Sequence, residues 1–476
     1  MEQPAKPAFE LILSGIENAP ADQPFDPDQI KRLTDLYFAT REHYSRIING
    51  MLGAEIGAPG LPLPLLHGAQ MLHRRLANAF GQAALRCALR PDAVEPREVA
   101  ELALHSLHAR TEEIKWHAFE STMPGSISWQ NANALLLGLE SLGAERQVLV
   151  DGGTCVDAFA QCILLATLNV GILSPPQVEL AHRWLSVCGW GLQIEPFFDP
   201  ETHWYQIDLE QSRGPERISP NSAISDATRF VAVAALGPLL AQARTKLYAG
   251  ELDVPATPNR IVALHFGAFL DLAERLWSPD WRKATWRDPR TIAKGEQIEV
   301  VIGFDQVITA LGGNGEAGVA DSTPRASWLL RDKCKNGLGA LLPEDAGIRM
   351  RLGALIAFRA SADDDWQIGS IVRRVRAADE TLWLAGIKRI SDSPVALALL
   401  SQAHGPSPAP GPLAIYAPVS SGAGRIDSLL LDADEFARGG QYQLPTRGGA
   451  FRIRLDRVID RGDRWVRVGF EVLGKQ

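Results

Sequence analysis

Apolar residues recur at helical spacing through the first half of the chain. Between positions 26 and 52, Ile30, Leu33, Tyr37, Tyr44, Ile47 and Ile48 fall on one face of a 3.6-residue period. Asp26-Pro27 supplies an oxygen-bearing N-cap and a proline whose missing N–H costs nothing in a first turn, and Gly50 and Gly53 are expected to close this helix. The same period predicts helices over 65–88 (Leu72, Leu76, Phe80), 97–120 (Leu104, Leu107, Ile114), 129–142, 156–168 and 176–190. Two more are expected over 226–248 and from Thr257-Pro258 onward, the latter with Ile261, Leu264, Ala268, Leu272 and Leu276 on one face. Between these blocks the period shortens. Phe197 to Leu209 reads as a hairpin, with Asp199-Pro-Glu as its turn and Tyr205, Ile207 and Leu209 alternating. Ahead of the helices, Phe9–Leu13 reads as a strand in an extended arm.

Helical periodicity stops after Trp277. Alternating strands are predicted over 297–304, 326–330, 354–359, 367–375 and 382–390, with a glycine-rich turn at Gly312–Gly318, the pattern of a small antiparallel barrel. Gly405–Pro412 reads as a proline-rich linker. Strands are expected again over 413–416, 428–431, 441–444, 451–459 and 465–473. The fold class is therefore multidomain, α then β. A mainly helical domain with one hairpin is expected over 1–277, a β-barrel over 278–400, and a linker with a second β-rich segment, a barrel half or a second unit, over 401–476. The two β segments echo each other. Arg374-Val375, Asp379, Trp383, Gly386-Ile387 and Ile390 run parallel to Arg457-Val458, Asp463, Trp465, Gly469-Phe470 and Leu473, with the same valine-to-glycine spacing.

Composition narrows the classes. The 476 residues suffice for two to four domains of about 100–200 residues each. An apolar fraction of 46% and a charged fraction of 22% are ordinary for globular chains, and a net charge of -8 argues against a general nucleic-acid binder. The N-terminus lacks a basic segment followed by an apolar run, so no signal peptide is expected. The apolar stretch near 230–243 is short for a bilayer, and that of 155–173 contains Asp157 and Gln161, so membrane insertion is not expected. The five cysteines form no CxxC pair, which fits a reducing cytoplasm.

Signatures of catalysis are missing. There is no GxSxG, no Walker loop and no HExxH, and the Gly312–Gly318 run lacks a lysine, so an enzyme is not expected. His105 and His108 share one helix with Glu112, Glu113 and His117, a set with metal-ligand chemistry. With no second ligand pair elsewhere, a solvated or partly packed polar face is expected there, and no metal. The twelve tryptophans fall at core positions.

One constellation points to a ligand. Trp281–Arg290 is a basic, proline-containing loop with Arg282, Arg287 and Arg290. Arg331-Asp332-Lys-Cys334-Lys-Asn-Gly337 follows a predicted strand, and then come Ile368-Gly-Ser-Ile-Val-Arg373-Arg374-Val and Leu384-Ala-Gly386-Ile-Lys-Arg-Ile390. This set resembles the PilZ family of bacterial barrels that bind cyclic-di-GMP. Its members carry an RxxxR loop ahead of the barrel and a [D/N]xSxxG motif on an early strand. Asp332, Cys334 and Gly337 fall on the second motif, with cysteine in place of serine, and the three arginines stand at other than strict RxxxR spacing. The layout of a long helical region, a Thr228-Arg-Phe230 helix and a degenerate C-terminal barrel is similar to the FimW-type group linked to surface attachment and type IV pili.

The resemblance implies a cyclic-di-GMP receptor. Its ligand set would be Arg282, Arg287, Arg290, Asp332, Cys334, Gly337, Arg373 and Arg374, and its output would be an unidentified protein partner. The chemistry agrees, because guanidinium groups meet phosphates bidentately and stack on purines, and glycine admits close approach. A ligand-free structural adaptor is the alternative. For the arginines it leaves only the solvation of a linker, for Asp332 a turn cap, and for Gly337 a plain turn.

Overall fold

The structure, a computed structural model, describes residues 27–52, 61–89, 94–149, 152–169, 171–189, 191–278, 290–293, 295–312, 324–376, 381–401, 409–421, 424–446 and 449–475. Two compact units divide the chain, one ending at Trp286 and the other beginning at Arg287. The expected strand at 9–13, the cap at Asp26 and the turn beyond Gly312 lie outside the described residues.

The first unit is helical. Its helices are α1 (Pro27–Leu52), α2 (Leu63–Ala88), α3 (Pro96–Glu120), α4 (Ser126–Leu142), α5 (Cys155–Leu168), α6 (Pro175–Cys188), α7 (Leu236–Tyr248) and α8 (Arg260–Leu276). Helix α1 runs through Gly50 to Leu52, and Gly53 lies outside the described residues. Helix α5 begins with a capping box: Thr154 accepts from the Asp157 N–H, and Asp157 accepts from the Thr154 N–H at 2.9 Å. This explains an aspartate in an otherwise apolar run. At α8 the cap is Asn259, one residue beyond the expected Thr257-Pro258, accepting from the Val262 N–H. Helix α3 lies at the centre, with Leu107, Ile114 and Trp116 fully buried.

A four-stranded sheet joins these helices, with strands β1 (Ile194–Glu195), β2 (His203–Asp208), β3 (Glu216–Arg217) and β4 (Thr228–Ala232) in the order β1-β4-β2-β3. Two expectations change here. Thr228-Arg-Phe230 is strand, not helix: buried Thr228, Phe230 and Val231 pack into the sheet, and helix α7 starts only at Leu236. The turn at Asp199 forms, with the His203 N–H donating to the Asp199 carbonyl, but the hairpin does not. Strand β4, from farther along the chain, enters between β1 and β2.

The second unit contains two barrels. Strands β5 (Thr291–Ile292), β6 (Gln297–Ile302), β7 (Ala326–Cys334), β8 (Gly337–Leu342), β9 (Leu355–Arg359), β10 (Gln367–Val375) and β11 (Trp383–Ser391) form the first. Around it the order is β6-β7-β8-β11-β10-β9, closed on β6 and antiparallel throughout, with β5 added on β7. Trp328 and Trp383 fill its interior with Leu330, Ala340, Ile371 and Ile387. Residues after Ile302 turn into helix α9 (Phe304–Ala310), and α10 (Glu344–Arg349) follows β8.

The second barrel is built from β12 (Val395–Ser401), β13 (Ala409–Tyr416), β16 (Leu429–Asp432), β17 (Gln441–Thr446), β18 (Gly449–Arg461) and β19 (Trp465–Lys475). A small hairpin, β14 (Val419–Ser421) with β15 (Gly424–Ile426), sits between β13 and β16. The order β12-β13-β16-β19-β18-β17 closes on β12. Residues 409–412, expected as linker, are the start of β13. Gly411 permits this, because a Cβ there would stand 2.7 Å from the Leu399 carbonyl oxygen on the neighbouring strand. Numbered within each barrel, the six strands pair identically, so the β segments repeat one connectivity. A third apolar cluster, with Leu355, Ala357, Ile368 and Ile390 of the first barrel against Ile415, Leu430 and Trp465 of the second, fills the seam between them.

Candidate functional site

The β7–β8 hairpin carries the acidic motif. Cys334 pairs with Gly337 across the two-residue turn Lys335-Asn336, and Asp332 pairs with Gly339 after a bulge. Leu338, Ala340 and Leu342 point into the barrel, so Gly337 and Gly339 face outward. Asp332 stands on that outer face and is only 6% exposed, because two guanidinium groups cover it. Arg290 Nη1 meets Asp332 Oδ1 at 2.5 Å, and Arg331 Nε meets Oδ2 at 2.8 Å. Strand β5 delivers Arg290 to this place through the pair Ile292 with Asp332.

The pairing extends into a row across four strands. Asp332 opposes Gly339, Gly339 opposes Gly386, and Gly386 opposes Arg373. Directly opposed residues share a face, so an acid and an arginine stand about 14 Å apart, three strand spacings, over a floor of two glycines. The floor is tightly walled. A Cβ on Gly339 would lie 2.9 Å from the Asp332 carboxylate, and one on Gly386 would lie 2.9 Å from the Arg373 Cβ. Lys388, opposed to Gly337, flanks the row.

The sequence-derived set thus splits. Arg290, Asp332, Cys334, Gly337 and Arg373 come together on the outer face. Arg374 does not join them: it opposes buried Ala385, on the inner side, and its guanidinium stacks 4.1 Å from the Trp383 ring. Adjacent strand residues point to opposite sides, so a bulge at Val372 decides which of the two arginines faces outward. Arg282 and Arg287 lie outside the described residues. Gly339 and Arg331 went unselected in the sequence. The Gly-Leu-Gly alternation of 337–339, two glycines on one face of a strand, was the signal available.

Gly337 has a packing reason of its own. A Cβ there would stand 2.3 Å from the Ile387 carbonyl oxygen on β11.

The polar face of α3 is buried, not solvated. Lys115 meets Glu112 at 2.7 Å and Glu179 at 3.1 Å, and Glu113 accepts from Arg110, from Arg74 at 3.0 Å and from Ser128 at 2.7 Å. Helices α2, α4 and α6 supply Arg74, Ser128 and Glu179, so three sides of α3 are covered. His105 packs on Tyr37, Phe38 and Phe80. Burial pushes His73, His108, His117 and His182 down to about 4. Burial also works against the Glu112 carboxylate, yet Lys115, His182 and His73 together hold it below its usual range. Among the described residues no group of three or more His, Cys, Asp or Glu side chains is placed to hold a metal ion. No helix among them is long and apolar enough to cross a membrane.

Comparison with known proteins gives one match. A family model described as "Cyclic-di-GMP receptor FimW, N-terminal domain" matches residues 12–199. No curated protein and no solved structure matches the chain. Residues 12–199 of the helical unit are thus similar to the N-terminal domain of the cyclic-di-GMP receptor FimW, and two six-stranded barrels follow them in the chain.

Proposed function

We propose that the chain is a cyclic-di-GMP receptor and not an enzyme, with the dinucleotide held on the outer face of the first barrel. The match of residues 12–199 to a domain described as part of a cyclic-di-GMP receptor carries this reading. The barrel adds the chemistry. Arg290 and Arg331 present guanidinium groups beside a glycine floor that admits a flat base, and Arg373 stands at the far end of the row for a phosphate. Asp332 already gives an oxygen to each of two arginines, so its part is to hold them in place. Arg282 and Arg287 of the preceding loop complete the clamp in this reading, Cys334 lines it, and Arg374 belongs to the barrel core. The likeness to PilZ barrels rests on this hairpin. The helical unit passes occupancy to a protein partner in a reducing cytoplasm, and the resemblance implies surface attachment as the output.

One observation favours a ligand-free adaptor: Asp332 is satisfied on both oxygens and Gly337 is explained by strand packing alone. Calorimetric titration of the full chain and of Arg290→Ala and Arg373→Ala with cyclic-di-GMP separates the two. The receptor reading expects affinity at least about tenfold weaker in each variant, the loss of one charge-assisted contact. Equal binding in all three removes this face as the site, and no binding by the full chain leaves the adaptor.

A further inference from the structure

The repetition between the barrels extends to detail. In the first barrel β10 slips register between Ile371 and Arg373, and Arg373 then lies over Gly386 of β11. In the second, β18 slips between Leu455 and Val458, and Arg457 lies over Gly469 of β19, its Cγ 3.6 Å from where a Cβ would stand. Both pairs join the fifth and sixth strands of their barrel, on the outer side: Val466 and Val468 point inward, so Arg467 and Gly469 point outward.

Around Gly469 the second barrel differs from the first. Leu429 opposes Val468, which brings Ser428 next in line toward Gly469. Ser428 is fully buried, gives its hydroxyl proton to the Ala417 carbonyl at 2.8 Å, and accepts from Arg467 Nε at 2.8 Å. Among the described residues Ser428 is the one hydrogen-bond partner of the Arg467 guanidinium, and the residue is only 9% exposed. Asp460 opposes Arg467 across β18, but its carboxylate is engaged by Lys388 of the first barrel at 2.8 Å. Burial therefore pulls the Arg467 guanidinium below its usual range, and Asp460 offsets this only in part. Arg457 is exposed and makes no ion pair among the described residues. Lys388 thus pairs with Asp460, Arg467 opposes it, and Arg457 covers Gly469 two residues along β19.

We propose that this patch is a phosphate-binding site of the second barrel, with Arg457 and Arg467 taking the non-bridging oxygens of a phosphate monoester or diester. A nearly buried guanidinium that has one hydroxyl for a partner leaves donors unspent, and a phosphate matches their fork. Gly469 gives the room that a side chain would take. The inference stands on the geometry of the second barrel and does not need the first to bind anything. Two sources share the chemistry, the phosphodiester of a cyclic dinucleotide and a free phosphate or mononucleotide.

The test is calorimetric titration of the full chain with inorganic phosphate, GMP and cyclic-di-GMP at constant ionic strength. Saturable binding of at least one probe is expected, weakened at least about tenfold in Arg457→Ala and unchanged in Arg97→Ala, which removes an exposed arginine of helix α3. Arg467→Lys keeps the charge but loses the fork. It should weaken the same probe, with far-ultraviolet circular dichroism and thermal unfolding showing that the variant folds. If only phosphate or GMP binds, and does so through Arg457, this site stands while the receptor reading falls. No saturable binding, or equal affinity in Arg457→Ala and the parent, overturns the site.

Discussion

Replacing Gly337 by alanine isolates one steric contact. The new Cβ would lie 2.3 Å from the Ile387 carbonyl oxygen and 3.7 Å from the Lys388 Cα. Even close Cα–H···O contacts keep carbon and oxygen about 3.3 Å apart, so β8 must move from β11 by about 1 Å. The obstacle is backbone, which cannot swing aside as a side chain would. A ladder bond of about 2.9 Å stretched by that amount passes the limit of a hydrogen bond. Overpacking of this kind costs about 1–3 kcal/mol, and one lost ladder bond adds about 1 kcal/mol. The sum, about 2–4 kcal/mol, corresponds to a fall in Tm of about 5–15 °C for a unit of this size. Scanning calorimetry of the full chain reads it directly. Gly474→Ala is the control, since a Cβ there meets nothing within 4 Å and should change stability by less than about 0.5 kcal/mol. If both variants melt with the parent, the close packing of β8 on β11 is wrong, and with it the glycine floor.

Other residues make separate predictions. Glu113→Gln takes the charge from Arg110, which is 2% exposed, and should cost about 3–5 kcal/mol in chemical denaturation; a cost under about 1 kcal/mol would mean that the α3 network is not closed. Arg373→Ala should weaken cyclic-di-GMP binding at little cost in stability. Arg374→Ala should do the reverse, losing about 0.5–2 kcal/mol of stacking on Trp383, and exchanged phenotypes would reverse the assignment of faces. Thr154→Ala removes the cap of α5 and should cost about 1 kcal/mol by urea unfolding, against no change if the capping box is idle. His73, His108, His117 and His182 fall from 6.5 to about 4 on folding, so the unfolded chain binds more protons between those values. Stability should be full above about pH 6.5 and decline toward pH 4; a urea midpoint that stays level across that window would contradict their burial.

Much of this was legible in the sequence where one physical signal dominated. Helices α2 to α6 follow from apolar spacing, whereas the Thr154–Asp157 cap of α5 emerges only in the structure. The Thr228–Ala232 segment was misread because its apolar run continues into α7, and periodicity cannot place the boundary inside a run that is buried on both sides. Strands β8 and β12 escaped because Gly337–Leu342 and Val395–Ser401 are small or uniformly apolar and show no alternation. The echo between the β segments leaves a barrel half or a second unit open; the structure has two barrels of one connectivity. The candidate site was half legible. Asp332 and Gly337 announce themselves by spacing, but the choice between Arg373 and Arg374 hangs on a bulge that only pairing reveals. The face with Glu112 and Glu113 is expected to be solvated or partly packed, as a charged helix face ordinarily is; together with Lys115 it is buried because partners arrive from α2, α4 and α6.

The most direct test of the account is titration of the full chain with cyclic-di-GMP, with cyclic-di-AMP and GTP as controls. Saturable, selective binding at micromolar affinity or tighter is expected, weakened at least about tenfold by Arg290→Ala and left intact by Arg374→Ala. No heat and no thermal shift with the full chain would contradict it.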